Sequence, residues 1–409
     1  MRNAARHTAM LLPLVVASWA TAGLAAPGVS GRAARIHERL ITLDSHLDTP
    51  ASLDRPGWVI EEAHDDYTQV DLPKMKKGGL DGGFWAIYTP QGPLDPEHIK
   101  SARDFAIMRG VSIRMMVAAD PVNFALATTA EDAALIAAQH KRIVYMSIEN
   151  AYPLGGDETL LSAFYAMGVR LMGFAHFANN QFADSSTDPK GPKWGGLSPA
   201  GKALLAEANR LGVVPDASHS SDAVLDDLLK LSKTPVLLSH SGCKAIYDNP
   251  RNIDDAHLKA LAAKGGVIQM NAYGGYLRAI KPNPERDKAM RAMFASIRSE
   301  TVKMTKEQLD AITAERRRID KLYPETDKPS FDDFLAHILH ALKVVGPEHV
   351  GIGLDWDGGG GVTGMEDVRS IPKITDALLK AGYSEADLAN IWSGNVLRLL
   401  KAAQEARAK

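Results

Sequence analysis

A TIM-type (β/α)8 barrel, an α/β fold with a parallel sheet, is the architecture this 409-residue sequence predicts, on three observations. Eight short apolar runs recur along the chain, helix-spaced segments separate most of them, and histidines or carboxylates stand at the ends of six. The runs are LITLD at 40–44, GGFWAIYT at 82–89, RIVYMSI at 142–148, VRLMGFA at 169–175, GVVPDAS at 212–218, PVLLS at 235–239, GGVIQMN at 265–271 and HVGIGLD at 349–355. Several are almost continuously apolar, as strands buried on both faces must be. Between them SARDFAIMRGVSIRMMVAA, SPAGKALLAEANRLG, SDAVLDDLLKLS and DDAHLKALAAKG carry helical spacing, several ending in a glycine that stops a helix. Residues 284–328 are highly charged and helix-prone, and they read as a helical insertion between strands seven and eight. Such an insertion is either a solvated helical face or a lid, because segments inserted after a barrel strand emerge on the catalytic rim.

The N-terminal residues have a different pattern. Arg2 and Arg6 precede an apolar run from Met10 to Ala20 and then small residues through Gly23, Ala25 and Ala26. The run is short for the roughly 20 residues a bilayer needs, so residues 1–26 read as an export signal cleaved near Ala25 or Ala26. Residues 27–409 then form a single barrel domain, periplasmic or secreted, and the polar ending KAAQEARAK offers no membrane or lipid anchor. The one cysteine, Cys243, excludes an intramolecular disulfide and reads as a small buried residue. With a net charge of −2 and interspersed signs, the chain lacks the clustered cations a nucleic-acid partner requires.

In a parallel barrel every strand ends on the same rim, so residues distant in sequence converge there. His46 and Asp48 follow strand one, Glu149 ends strand three, His176 strand four, His219 strand five, His240 strand six and Asp355 strand eight. Each alone is unremarkable, but together they supply the imidazoles and carboxylates that a hydrolytic two-metal site needs. His337 and His340 stand in a regular amphipathic helix, FDDFLAHILHALKVVG, and read as structural.

The segments DSHLDTP, GGFWAIYTP, SIEN, HFANNQFADS, DASHSSD, LSHSGCKAIYDNPRNIDD, GLDWDGG and NVLRLL, in this order and spacing, resemble the membrane (renal-type) dipeptidase family of zinc peptidases, which have a metallo-dependent hydrolase-like barrel. The resemblance implies two zinc ions per chain: His46 and Asp48 on the first, His219 and His240 on the second, and Glu149 bridging both. It also implies a water activated between them, its pKa drawn from ~15.7 towards about 7 by two cations. On the same basis His176 stabilises the tetrahedral oxyanion, and Asp355 takes the water's proton and passes it to the leaving amine. Arg251 resembles the clamp on the substrate carboxylate, and Tyr273 a wall of the pocket.

The implied activity is hydrolysis of dipeptides, with D-residues tolerated on the C-terminal side, in a protein that pairs as a homodimer. Leu47 and Ala272 depart from the family pattern, where an asparagine and an aromatic are common, and both bear on substrate choice. A hydrolase of lactams or other small amides on the same barrel is the alternative, and a metal-binding protein without catalysis is a third reading. The same donor set also accepts manganese or cobalt.

Overall fold

The computed structural model describes residues 28–298 and 304–407; the expected export segment 1–26 lies outside them. Eight strands form the barrel: β1 Leu43–Leu47, β2 Gly82–Ile87, β3 Arg142–Ile148, β4 Val169–Gly173, β5 Val214–Asp216, β6 Leu237–Cys243, β7 Val267–Met270 and β8 Val350–Ile352. Each pairs in parallel with the next in chain order. Two further short strands, Phe124–Leu126 beside β3 and Asn252–Ile253 beside β6, extend the sheet outside the barrel.

The helices begin where the sequence offers caps. Ser198, Ser221 and Asp254 each accept a backbone N–H from the first turn of Pro199–Leu211, Asp222–Leu231 and Asp255–Ala263, and Gly212 ends the first of these at φ +76°. Two strands run further than their apolar runs suggest. β1 continues through Ser45 and His46, and β6 through Ser241 and Gly242, because the Ser45 hydroxyl bonds neighbouring carbonyls and the Ser241 hydroxyl meets Ser218 and Arg251 inside the barrel.

The join between β8 and β1 depends on side chains. Leu47 makes one parallel bridge with Trp356, and Asp48 N–H donates to the Trp356 carbonyl at 2.9 Å. Both Asp44 carboxylate oxygens accept from Leu354 N–H at 3.1 Å, while Ser45 Oγ reaches the Ser239 carbonyl at 2.5 Å and the Ile352 carbonyl at 3.2 Å. At the opposite end Leu43, Phe84, Tyr145, Leu171, Val214, Leu237 and Val267, from seven successive strands, pack in one cluster with Val396, Leu399, Leu400 and Ala403 of the helix Asn395–Ala406. That helix floors the barrel at the end where the strands begin.

Between β7 and β8 the chain passes through the helices Pro284–Arg298, Lys306–Leu322 and Phe331–Val345. The second packs on the loop after β1: Tyr67 Oη donates to Asp320 at 2.6 Å, and Arg316 lies 4.0 Å over the Tyr67 ring. In the third, His337 Nδ1 accepts the Cys243 N–H at 2.9 Å and His340 pairs with Asp255 at 2.8 Å, so both histidines serve the packing of this helix. Burial pushes the Cys243 thiol up to about 12, which removes it as a nucleophile at neutral pH.

His37, in the helix Gly31–Arg39, links three elements. Its Nδ1 lies 2.8 Å from Thr375 Oγ1, its Nε2 lies 3.0 Å from the Gly78 carbonyl, and its ring meets Trp392 edge-on at 5.1 Å. Burial drives its pKa from 6.5 down to about 4, against the pull of the Gly78 bond. The folded ring is neutral where the unfolded one is charged, so unfolding takes up a proton between those values. Stability therefore falls as the pH falls through that window, by about 3 kcal/mol in all. In His37→Gln this contribution is absent. The stability gap between wild type and variant, read from urea unfolding, should narrow by about that amount between pH 7 and pH 4, and a constant gap would refute the assignment.

Candidate metal centre

The rim residues are held by a repeated local device. Asp44, Asn150, Asn180, Asp216, Asn249 and Asn271 each turn a side-chain oxygen back onto the N–H two residues ahead, that of His46, Tyr152, Phe182, Ser218, Arg251 and Tyr273 respectively. These Asx turns fix the backbone as it enters or leaves the barrel mouth. His46 and His240 lie within β1 and β6, Asp48 and Glu149 directly follow β1 and β3, and His176, His219 and Asp355 each stand three residues past a strand. His219 and Asp355 adopt φ +66° and +64°, the left-handed region that side-chain-bearing residues avoid at a cost of about 1–3 kcal/mol.

All seven converge, each 8% exposed or less. Glu149 Oε1 is the centre: His176 Nε2 stands 3.2 Å away, His219 Nε2 3.3 Å, His46 Nε2 3.6 Å and His240 Nε2 3.8 Å. His219 Nε2 and His240 Nε2 are 2.8 Å apart, and His46 Nε2 is 3.2 Å from Asp48 Oδ2. Three donor sets each lie within 4.8 Å: His46 with Glu149 and His240, Glu149 with His176 and His219, and His46 with Asp48 and Asp355. Asp355 thus joins the His46 and Asp48 pair, and His176 approaches Glu149 as closely as any other imidazole does.

The field across the centre is uneven. Burial opposes the charged form of His46, yet Asp48, Glu149 and Asp355 prevail and raise it to about 10. His219 and His240 go the other way, well below the ordinary imidazole value, through burial and the neighbouring Arg251 charge. Burial also opposes the Glu149 carboxylate, but His176 and His46 hold it well below the usual range. Asp355 stands well above that range through burial, with His46 pulling it down and Asp48 and Glu149 pushing it up. A region that keeps an imidazole protonated to about pH 10 is one that favours cations.

The donor chemistry fits divalent metal. The Nε2 atoms of four imidazoles aim at one carboxylate oxygen, two of these nitrogens belong to neutral rings in contact, and Asp48 Oδ1 is buried without a hydrogen-bond partner. Zinc, with its preference for such nitrogen and oxygen ligands, suits the set.

Arg251 lies beside this centre. Its Nη2 donates to the His240 carbonyl at 3.0 Å and its Nη1 to Ser241 Oγ at 3.4 Å, while its Nε is buried without a partner. The guanidinium is 5.2 Å from the Tyr276 ring, which stacks on Tyr273 at 4.4 Å. Tyr276 is not apparent as a site residue from sequence, although AYGGY puts two tyrosines around a Gly-Gly turn. Nor is Gly358: a Cβ there would collide with Asp48 Oδ2 and Asp355 Oδ1, and one at Gly359 with the Tyr273 ring. The run of four glycines at 358–361 is the available signal.

Imidazoles and carboxylates gathered at the C-terminal mouth of a parallel barrel define a metal-dependent hydrolase. A family model for membrane dipeptidase, peptidase family M19, matches residues 30–409, and the chain belongs to that family. It is a metallopeptidase, a hydrolase acting on peptide bonds. The dipeptidase aclJ of Aspergillus oryzae is 28% identical over 349 residues, covering 82% of this chain and 71% of that one. The crystal structure of the probable dipeptidase PvdM from Pseudomonas aeruginosa matches with a TM-score of 0.77 at 31% identity, over 92% of this chain and 98% of that one. An amidohydrolase from Pseudomonas aeruginosa, at 19% identity and a TM-score of 0.64 over 91% of this chain and 98% of that one, shares the fold.

Gly358→Ala should displace the Asp48 and Asp355 carboxylates together. Calorimetric titration of the metal-free protein with zinc should then read an affinity about 10–100-fold weaker than wild type, and an unchanged affinity would mean the glycine has no part in holding them.

Proposed function

We propose that the chain is a two-zinc dipeptidase in which His46 and Asp48 hold one ion, His219 and His240 the other, and Glu149 bridges them. The observation that carries this reading is the convergence of four imidazole nitrogens within 3.8 Å of one Glu149 oxygen. Two bound cations supply Lewis acidity toward the peptide carbonyl and draw the pKa of water towards about 7. Asp355 takes up a proton on its carboxylate and returns it to the leaving amine; burial raises its pKa above the ordinary carboxylate range, which favours holding that proton. His176 offers Nε2 to the oxyanion that forms as the carbonyl becomes tetrahedral, from a position fixed beforehand.

Arg251 binds the C-terminal carboxylate of the substrate. A guanidinium only 4% exposed, with no ion pair among the described residues, is costly unless an anion completes it. Tyr273, stacked on Tyr276, borders the same end of the pocket. Arg251 donates to the carbonyl of His240, one of the proposed metal ligands, and a carboxylate clamp set so close to the centre supports short substrates such as dipeptides. The charged start and apolar run of residues 1–26 support export of the mature domain 27–409, with 284–328 as an insertion in it.

Purified protein should contain two zinc ions per chain by elemental analysis and should hydrolyse a panel of L,L and L,D dipeptides. Chelation should abolish hydrolysis and zinc should restore it; two ions with no cleavage of any dipeptide would reject the substrate assignment. Arg251→Ala should lower kcat/KM for dipeptides about 100-fold, the loss expected when a buried charged pair is broken. Turnover of the corresponding dipeptide amides, which lack the carboxylate, should change little. Equal losses on both substrates would reject the clamp.

A further inference from the structure

Behind His240 lies a chain of buried polar groups that the reaction itself does not use. Ser239 Oγ is 2.5 Å from Asp216 Oδ2 and 2.8 Å from His240 Nδ1. The other Asp216 oxygen accepts two backbone N–H groups, from Ser218 at 2.9 Å and Ser239 at 3.0 Å. Asp216, Ser239 and His240 are 3%, 0% and 1% exposed, so solvent cannot compensate a wrong hydrogen-bond direction.

We propose that Asp216 and Ser239 form a hydrogen-bond relay that selects the tautomer of His240, keeping its hydrogen on Nδ1 and its Nε2 lone pair free for the metal. The inference rests on the proposed role of His240 as a metal ligand. A serine hydroxyl has one hydrogen to give. The carboxylate, already the target of two N–H donors, takes it, so Ser239 Oγ has only lone pairs to turn towards the imidazole. The one partner that satisfies both atoms is an Nδ1–H. Nε2 then faces Glu149 Oε1 and His219 Nε2 without a hydrogen of its own.

The rest of His240 is equally constrained: its N–H donates to Ser218 Oγ at 3.0 Å, and its carbonyl accepts from Arg251. His219 has no such support, because its Nδ1 is buried without a partner. Asp216 and Ser239 are therefore positioning residues, acting on the metal through His240.

The test is the histidine tautomer in the metal-free, 15N-labelled protein, read by long-range proton–nitrogen NMR, together with zinc affinity. Wild-type His240 should carry its hydrogen on Nδ1. In Asp216→Asn the side-chain amide donates to Ser239 Oγ, the hydroxyl turns to Nδ1, and the hydrogen should move to Nε2, with zinc bound about 10–100-fold more weakly. Ser239→Ala should lose affinity in the same range, and Ser239→Thr, which keeps the hydroxyl, should recover it. If Asp216→Asn fails to fold, the Ser239 pair decides. An Nε2–H tautomer in the wild type, or wild-type zinc affinity in Ser239→Ala, overturns the relay. A wild-type protein that binds no zinc at all overturns the metal assignment instead, and the two failures are thereby distinguished.

Discussion

Four ring nitrogens crowd one carboxylate oxygen in the mouth of this barrel, and most of the surrounding structure exists to keep them there. Such a cluster is unfavourable by itself, since two of its nitrogens touch across 2.8 Å and its carboxylates are taken out of water. A fold tolerates that arrangement only where the backbone leaves the groups no alternative. The strand ends supply the positions, the Asx turns lock the exits, and the left-handed residues His219 and Asp355 aim two of the side chains. The strain is spread over separate elements, and no single loop carries the whole centre.

The same residues that shape the centre also hold the barrel together. Asp44 accepts the His46 N–H and, across the junction of the first and last strands, the Leu354 N–H. Asp216 ties β5 to β6 through Ser239 and reaches His240 by the same hydroxyl. His240 in turn accepts on its carbonyl the buried guanidinium of Arg251. The groups that position the centre and the groups that pair the strands therefore share atoms: Asp44 serves both His46 and the β8–β1 junction, and Asp216 both His240 and the β5–β6 pair.

What the sequence made legible was the part that topology determines. Eight apolar runs separated by helix-spaced segments suffice for a parallel barrel, and a parallel barrel suffices to gather His46, Glu149, His176, His219, His240 and Asp355, whatever their separation in the chain. The strand ends were harder. DSHL and SHSGC are too polar to read as strand, and they become strand because each hydroxyl finds a partner inside the barrel: Ser45 the Ser239 and Ile352 carbonyls, Ser239 the Asp216 carboxylate, and Ser241 the Ser218 hydroxyl and Arg251. The Asx turns escaped because an asparagine that bonds two residues ahead looks like any other asparagine. The relay behind His240 escaped for a related reason: Asp216 and Ser239 lie 23 residues apart, and only strand pairing makes them neighbours.

The floor of the barrel bears on how the chain is made. The helix Asn395–Ala406, whose Val396, Leu399 and Leu400 fill the space beneath seven strands, is made after all eight barrel strands, and β8 precedes it by only some forty residues. Until both have left the ribosome, the first strand lacks its neighbour and the interior has no base. Vectorial folding from the N-terminus thus stops at an open, half-wound sheet. The nascent polypeptide must therefore wait for this helix before its barrel can close on a finished base.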